Sequence, residues 1–149
     1  MRVYLDNCCY NRPYDDQKQL RISLETQAKL RIQEMIKDDE IELASSYVLR
    51  YENSKNPYEI KRRTIGKFIE DHTSVYIDES RSEEVGALAS VAMETGVKTA
   101  DAHHAASAIL AGCDYLLTTD DRLLKYSSDR IKIIDPIEFI KRIGGTDDE

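Results

Sequence analysis

Residues 99–126 read TADAHHAASAILAGCDYLLTTDDRLLKY, and this stretch decides the fold class. Thr99 opens an Ala-rich segment that reads as a helix over 100–111, and Gly112 closes it. Tyr115–Thr119 is a short strand-type run that ends at two acids and leads into a short helix over Asp121–Tyr126. Helix, strand and helix in close succession are the repeating unit of an α/β protein.

Outward from this stretch the alternation continues in both directions. Arg2-Val3-Tyr4-Leu5 is an apolar strand ending in a turn at Asp6-Asn7, and polar residues 11–19 form a loop. From Ser23 the apolar set Leu24, Ala28, Ile32, Met35 and Ile36 has helical spacing, ended by Asp38-Asp39. Ile41–Ala44 is a second strand. Ser45-Ser46 caps a helix to about Lys55, and a further helix runs from Asn56-Pro57 to about Asp71. Ser74–Ile77 is a third strand. Ser80 or Ser82 caps a helix with Val85, Leu88, Ala89 and Ala92 on its apolar face, ended by Gly96. Ile131–Ile134 is a fifth strand, and Asp135-Pro136 opens the last helix. Five strands separated by helices imply right-handed crossovers and a parallel sheet covered on both faces, a three-layer α/β sandwich. One domain over 1–143 is expected, with 144–149 as a frayed acidic tail.

Composition agrees with a folded chain. Apolar residues make up 41% and charged residues 33% of 149, enough to bury a core. No apolar run approaches a membrane span, and no basic stretch followed by an apolar block opens the chain, so neither a membrane helix nor a secretory signal is expected. Three Cys, with Cys8 and Cys9 adjacent, make no disulfide framework and fit a reducing cytoplasm. The net charge of −7 argues against a general nucleic-acid coat, but it is uneven. Residues 1–67 hold 13 Lys/Arg against 11 Asp/Glu, and residues 68–149 hold 8 against 17. Over residues 55–67, Lys55, Lys61, Arg62, Arg63 and Lys67 oppose only Glu59, a locally basic strip compatible with phosphate contacts, with Lys61, Arg62, Arg63 and Lys67 as the candidates for them.

In open parallel sheets chemistry lies beyond the carboxyl ends of the strands, where the strand order reverses. Asp6 follows the first strand and Asp120 follows the fourth. Two more acids stand on helices, Glu52 in Tyr47-Val48-Leu49-Arg50-Tyr51-Glu52 and Asp101 in the first turn of the Ala-rich helix. Each singly reads as a turn residue, a cap or a dipole partner. Together in one cleft they repel by several kcal/mol unless a cation sits between them. Oxygen-only ligation selects Mg²⁺ or Mn²⁺, whose usual use in such a cluster is to activate a water for phosphodiester cleavage.

The segments Val3-Tyr4-Leu5-Asp6-Asn7, Tyr51-Glu52, Thr99-Ala100-Asp101-Ala102-His103-His104-Ala105-Ala106 and Leu117-Thr118-Thr119-Asp120 resemble, in order and spacing, the four motifs of PIN-domain proteins of the VapC-like toxin type. The resemblance runs to about residue 143. It implies a metal-dependent endoribonuclease, in many members the toxin of a toxin–antitoxin pair, leaving 5′-phosphate and 3′-hydroxyl ends. It further implies Asp6, Glu52, Asp101 and Asp120 as the metal-binding acids, supported by the Thr118 hydroxyl. RNA, a cognate antitoxin and a second copy of the chain are the partners to expect. Asn7 stands where members commonly carry Thr or Ser; its amide can still donate to a carboxylate.

Other chemistries fit less well. A phosphatase Cys needs an Arg six positions on, where Cys8 and Cys9 have Tyr14 and Asp15. Adjacent His103 and His104 point about 100° apart on a helix, and His104 reads as a packing or hydrogen-bonding residue three positions from Asp101. No glycine-rich nucleotide loop occurs. A receiver-type phosphoacceptor domain would need paired acids after the first strand, where Asp6-Asn7 supplies one. The second class kept open is a non-catalytic PIN-like module that binds RNA or protein.

Overall fold

β1 (Arg2–Leu5) is the central strand of a five-stranded, wholly parallel sheet in the computed structural model, which describes residues 1–144. The chain continues through α1 (Asn7–Asn11), α2 (Leu20–Lys37), β2 (Glu42–Ser46), α3 (Tyr47–Ser54), α4 (Glu59–His72), β3 (Thr73–Ile77) and α5 (Ser82–Glu94). It ends with α6 (Thr99–Leu110), β4 (Tyr115–Leu117), α7 (Asp121–Leu124), β5 (Lys132–Ile134) and α8 (Pro136–Gly144). The strand order is β3-β2-β1-β4-β5. The chain winds outward from β1 on one side and then returns to its other side, so the order reverses between β1 and β4.

Val3, Tyr4 and Leu5 are wholly buried, as a central strand covered on both faces requires. Tyr4 faces α6, where its hydroxyl meets His104. Val3 pairs with Tyr115 across the β1–β4 ladder, and the Tyr115 ring stacks edge-on against Phe139 of α8. α6 covers one face of the sheet, backed by α5, and α8 covers the other beside α2. The three-layer α/β sandwich is the fold. Edge strand β3 alternates partly exposed and exposed residues up to Ile77, the pattern of a strand open on one side.

Several element boundaries differ from those read in the sequence, each for a local reason. The Asp6-Asn7 turn opens a helix, α1, because the Asp6 side chain accepts the Cys9 N–H as its N-cap. β2 runs on to Ser46, since Ser46 caps α3 from an extended backbone and no loop intervenes. β4 stops at Leu117, although Thr118 N still reaches Ile134 O at 3.1 Å. The cap expected from Ser80 or Ser82 is supplied elsewhere: Asp78 accepts Ser80 N across a 3-10 turn at Glu79–Arg81, and Ser82 is the first residue of α5. α7 ends at Leu124, two residues short of Tyr126.

α2 departs most. It starts at Leu20, and its buried stripe is Glu25, Lys29, Ile32 and Ile36, while Leu24 is exposed. Glu25 is buried because Arg12 Nε and Arg21 Nε approach it at 3.2 and 3.3 Å. Arg21 then clamps Asp121 through both oxygens, at 2.7 and 3.0 Å, and also donates to Thr119 O. This charge chain ties α2 to the turn after β4. The acidic tail expected over 144–149 lies outside the described residues apart from Gly144, which closes α8.

Candidate active site

The parallel ladder continues one residue past β1, with Asp6 N on Leu117 O at 3.2 Å. That bond brings the ends of β1 and β4 together. Asp6 is 2% exposed and has both oxygens engaged, Oδ1 by Cys9 N at 3.1 Å and Oδ2 by the Thr118 hydroxyl at 2.5 Å. The Thr118 oxygen also accepts Asp120 N at 3.0 Å, so one hydroxyl links the two acids. Burial pushes the Asp6 carboxyl up to about 6, against the lowering effect of Thr118, His104 and Cys9, with the Asp101 charge adding to the rise. Asp120 caps α7, accepting Arg122 N at 2.8 Å, and leaves its second oxygen without a partner among the described residues.

Asp101 stands half-buried in the first turn of α6. Burial raises its carboxyl above the usual range and Asp120 raises it further, with Glu52 adding and His104 and Lys98 opposing; it has no hydrogen-bond donor among the described residues. The Cys8 thiol reports on the same neighbourhood, pushed up to about 12 by burial and then by Asp6, Asp120 and Asp101. Three acids therefore act on one point.

Glu52 joins them from α3 through His104. The His104 ring is 2% exposed, its Nε2 meets Glu52 Oε1, and its Nδ1 lies 2.7 Å from the Tyr4 hydroxyl. Tyr4 in turn lies 2.7 Å from Ser46 Oγ, which already accepts Leu49 N at 3.2 Å. A carboxylate only accepts, so His104 Nε2–H points at Glu52, and the Tyr4 hydroxyl bridges His104 Nδ1 and Ser46 Oγ. Glu52, 30% exposed, is thus anchored to the centre of the sheet through buried groups.

The four acids offer an all-oxygen donor set, which fits a hard cation such as Mg²⁺ or Mn²⁺ in kind. Their side chains do not close into a cage. Among the described residues no three His, Cys, Asp or Glu groups stand ready to hold a metal ion. Asp101 and the outer oxygen of Asp120 have no donor among the described residues, whereas Asp6 and Glu52 each hold protein donors.

The family model of the PIN domain matches residues 3–128. The chain belongs to the PIN-domain family. This PIN domain is similar to a chain in the crystal structure of VapBC2 from Rickettsia felis bound to a DNA fragment from their promoter. The likeness has a TM-score of 0.54 at 16% identity and covers 89% of this chain and 97% of that one. It is also similar to a chain of FitAcB from Neisseria gonorrhoeae, with a TM-score of 0.52 at 17% identity over 90% and 97% of the two chains. At these identities the likeness is one of fold. No curated protein matches the sequence.

Elsewhere in the PIN domain the sequence-derived candidates spread out. Asn7 opens α1, and its side-chain oxygen accepts from Asn11 at 3.1 Å; Cys9 N and Thr118, not Asn7, hold the Asp6 carboxylate. His103 is turned to Thr99 O, away from His104. The basic strip on α4 is divided. Lys61 sits over the Tyr58 and Tyr14 rings, and Arg62 donates to Asn56 O. Arg63 and Lys67 are exposed and paired, with Glu59 at 3.4 Å and Asp71 at 3.1 Å. Two features lie beyond the reach of the sequence motifs. Tyr4 and Ser46 root the Glu52 anchor, though their only sequence signals are a tyrosine in an apolar strand and a helix cap. Lys98, beside Asp101 in the sequence, and Arg122 and Lys125, from the turn after β4, line one cleft with Asp101.

Proposed function

We propose that this protein is a Mg²⁺- or Mn²⁺-dependent endoribonuclease that hydrolyses RNA phosphodiester bonds. Asp6, Asp101 and Asp120 hold the cation, with Glu52 as a further ligand. The observation that carries the reading is the gathering of the acids where the strand order reverses: Thr118 joins Asp6 to Asp120, and Asp101, half-buried on α6, feels the Asp120 and Glu52 charges and has no hydrogen-bond donor among the described residues. A bound cation supplies there a Lewis acid that lowers the pKa of water and neutralises charge on the phosphate.

The chain's own residues do the positioning. Thr118 holds Asp6 and Asp120 in one register, so their carboxylates keep their separation as substrate enters. His104 orients Glu52 from beneath, and α6 carries Asp101 over the strand ends. The tight enclosure of Asp6 excludes water from its buried side and strengthens every charge effect in the cleft. Lys61, Arg63 and Lys67 are outer candidates for RNA backbone contacts, while Arg62 is turned toward Asn56.

The proposal extends to a partner. Similarity to the VapBC2 chain supports a toxin of a toxin–antitoxin pair restrained by a cognate antitoxin; action in the cytoplasm and a homodimer are further parts of the proposal. No helix among the described residues is long and apolar enough to cross a membrane. Tyr51, Tyr58 and Ile60, exposed by 63, 62 and 80%, put apolar surface around the α3–α4 junction, where such a partner has something to bury.

One observation favours the second reading, a non-catalytic PIN module that binds RNA or protein: Asp6 and Glu52 give their oxygens to protein donors. Mn²⁺ titration followed by electron paramagnetic resonance separates the two. The nuclease reading expects one or two sites that Asp101→Asn removes. Binding no tighter than that of scattered surface carboxylates contradicts it.

A further inference from the structure

Asp101 shares a cleft of about 490 Å³ with Lys98, Arg122, Lys125 and Tyr126. The second part of the chain carries a balance of −9, yet three of its eight cations meet here. All three are exposed or partly exposed, and none forms an ion pair with a described residue. Two are tied to the acids by backbone. Lys98 is the cap residue of α6, three positions before Asp101, and the Arg122 N–H is held by Asp120 Oδ1 at 2.8 Å. The turns that hold the acids therefore also place the backbone of Lys98 and Arg122 beside them.

In this half of the chain Arg81 pairs with Glu84 and Arg142 with Glu138, whereas the other cations have no ion pair among the described residues. What sets Lys98, Arg122 and Lys125 apart is that all three line one concave surface beside Asp101, where Lys98 also acts on the Asp101 charge; three cations around one concavity suit a ligand that carries several phosphates. Tyr126, partly buried at the cleft wall, adds an aromatic face of the kind on which an unpaired base stacks.

We infer that this cleft binds single-stranded RNA next to the acid cluster, its phosphates on Lys98, Arg122 and Lys125 and a base against Tyr126. The inference rests on the nuclease reading and deepens it by naming the route of the substrate. It assigns to this cleft the main electrostatic contact expected of the strip on α4. A duplex is disfavoured, because its bases are already stacked and its phosphates lie on a convex surface.

The test is fluorescence anisotropy of a labelled eight-nucleotide single-stranded RNA, measured in EDTA so that no metal-dependent cleavage occurs. Lys98→Gln, Arg122→Gln and Lys125→Gln together should weaken binding at low salt at least about tenfold and lower the salt slope by about two, near 0.7 per phosphate contact for a single strand. Tyr126→Leu should weaken binding about fivefold or more with the slope unchanged, as loss of a stacked base requires. The three charge substitutions lie on solvent-accessible positions, and equal melting temperatures will show that the fold is intact. A triple variant with wild-type affinity and slope overturns the inference, as does equal or tighter binding of a duplex of the same length. If the cleft binds RNA as described but no metal supports cleavage, the inference stands and the nuclease reading falls.

Discussion

Replacing Asp6 by Asn should stabilise the metal-free protein, and the gain should depend on pH. Asp6 is 2% exposed, and burial moves its carboxyl from 3.8 to about 6. A group whose value rises on folding is ionised at a cost above that value and carries none below its unfolded one. Stability due to Asp6 is therefore lost as pH climbs from about 4 to about 6, reaching about 3 kcal/mol at neutral pH. Asn keeps the acceptor for Cys9 N but turns an N–H toward Thr118, whose oxygen already accepts Asp120 N. That mismatch costs about 1 kcal/mol. The net gain near pH 7.5 is about 2 kcal/mol, or roughly 4–8 °C in melting temperature for a chain of this size. At pH 4 the gain should vanish or reverse, since the wild-type acid is then largely protonated. The assay is thermal unfolding by circular dichroism in EDTA at half-unit pH intervals. A variant less stable than wild type at pH 7.5, or a difference that does not change with pH, would refute the reasoning.

Asp101→Asn in EDTA should also raise the melting temperature, because its carboxyl is lifted by burial and by Asp120 and Glu52; the variant should lose the stabilisation that Mn²⁺ gives the wild type. A cost of about 0.3–1 kcal/mol with an unchanged Mn²⁺ response would reduce Asp101 to a partner of the helix dipole. Tyr4→Phe should cost about 1–3 kcal/mol in chemical denaturation, since it leaves His104 Nδ1 buried without a partner and the Ser46 hydroxyl with Leu49 N alone; a neutral outcome would mean that the line to Glu52 is not continuous. Replacing Lys61, Arg62, Arg63 and Lys67 by Ala should reduce RNA binding and its salt slope by less than the loss of Lys98, Arg122 and Lys125 does, because Arg63 and Lys67 are already paired with acids. Filter binding at several salt concentrations checks this, and a larger effect on α4 would return the substrate to that strip.

Much of this molecule is legible in its sequence because strand and helix signals there agree with the global fold. The apolar runs at Val3–Leu5 and Tyr115–Leu117 are bounded by acids and glycines that punctuate them, and both lie where the strand order reverses. α1 escapes a sequence reading because its signal is one capping interaction from Asp6, invisible until the Cys9 N–H is in place. The phase of α2 escapes it because burial of Glu25 and Lys29 depends on partners distant in sequence, such as Arg12 for Glu25 and the Phe68 ring for Lys29. Helical spacing cannot report such pairs. The same limit applies to the site. Four acids are readable as residues after strands or in helix turns, whereas the Tyr4–His104–Glu52 line and the Lys98–Arg122–Lys125 cleft exist only once α6 and α7 are packed. A charge strip contiguous in sequence, over 55–67, is less coherent than one assembled by folding.

Metal-dependent RNA cleavage by this acid cluster is the function proposed for the protein. It is tested most directly by incubating a 5′-labelled single-stranded RNA with Mn²⁺ and either the wild type or Asp101→Asn, and identifying the product ends. The account predicts wild-type cleavage that EDTA abolishes, products with 5′-phosphate and 3′-hydroxyl ends, and no cleavage by the folded variant. Cleavage that persists in EDTA, 2′,3′-cyclic ends, or wild-type activity in Asp101→Asn would contradict it.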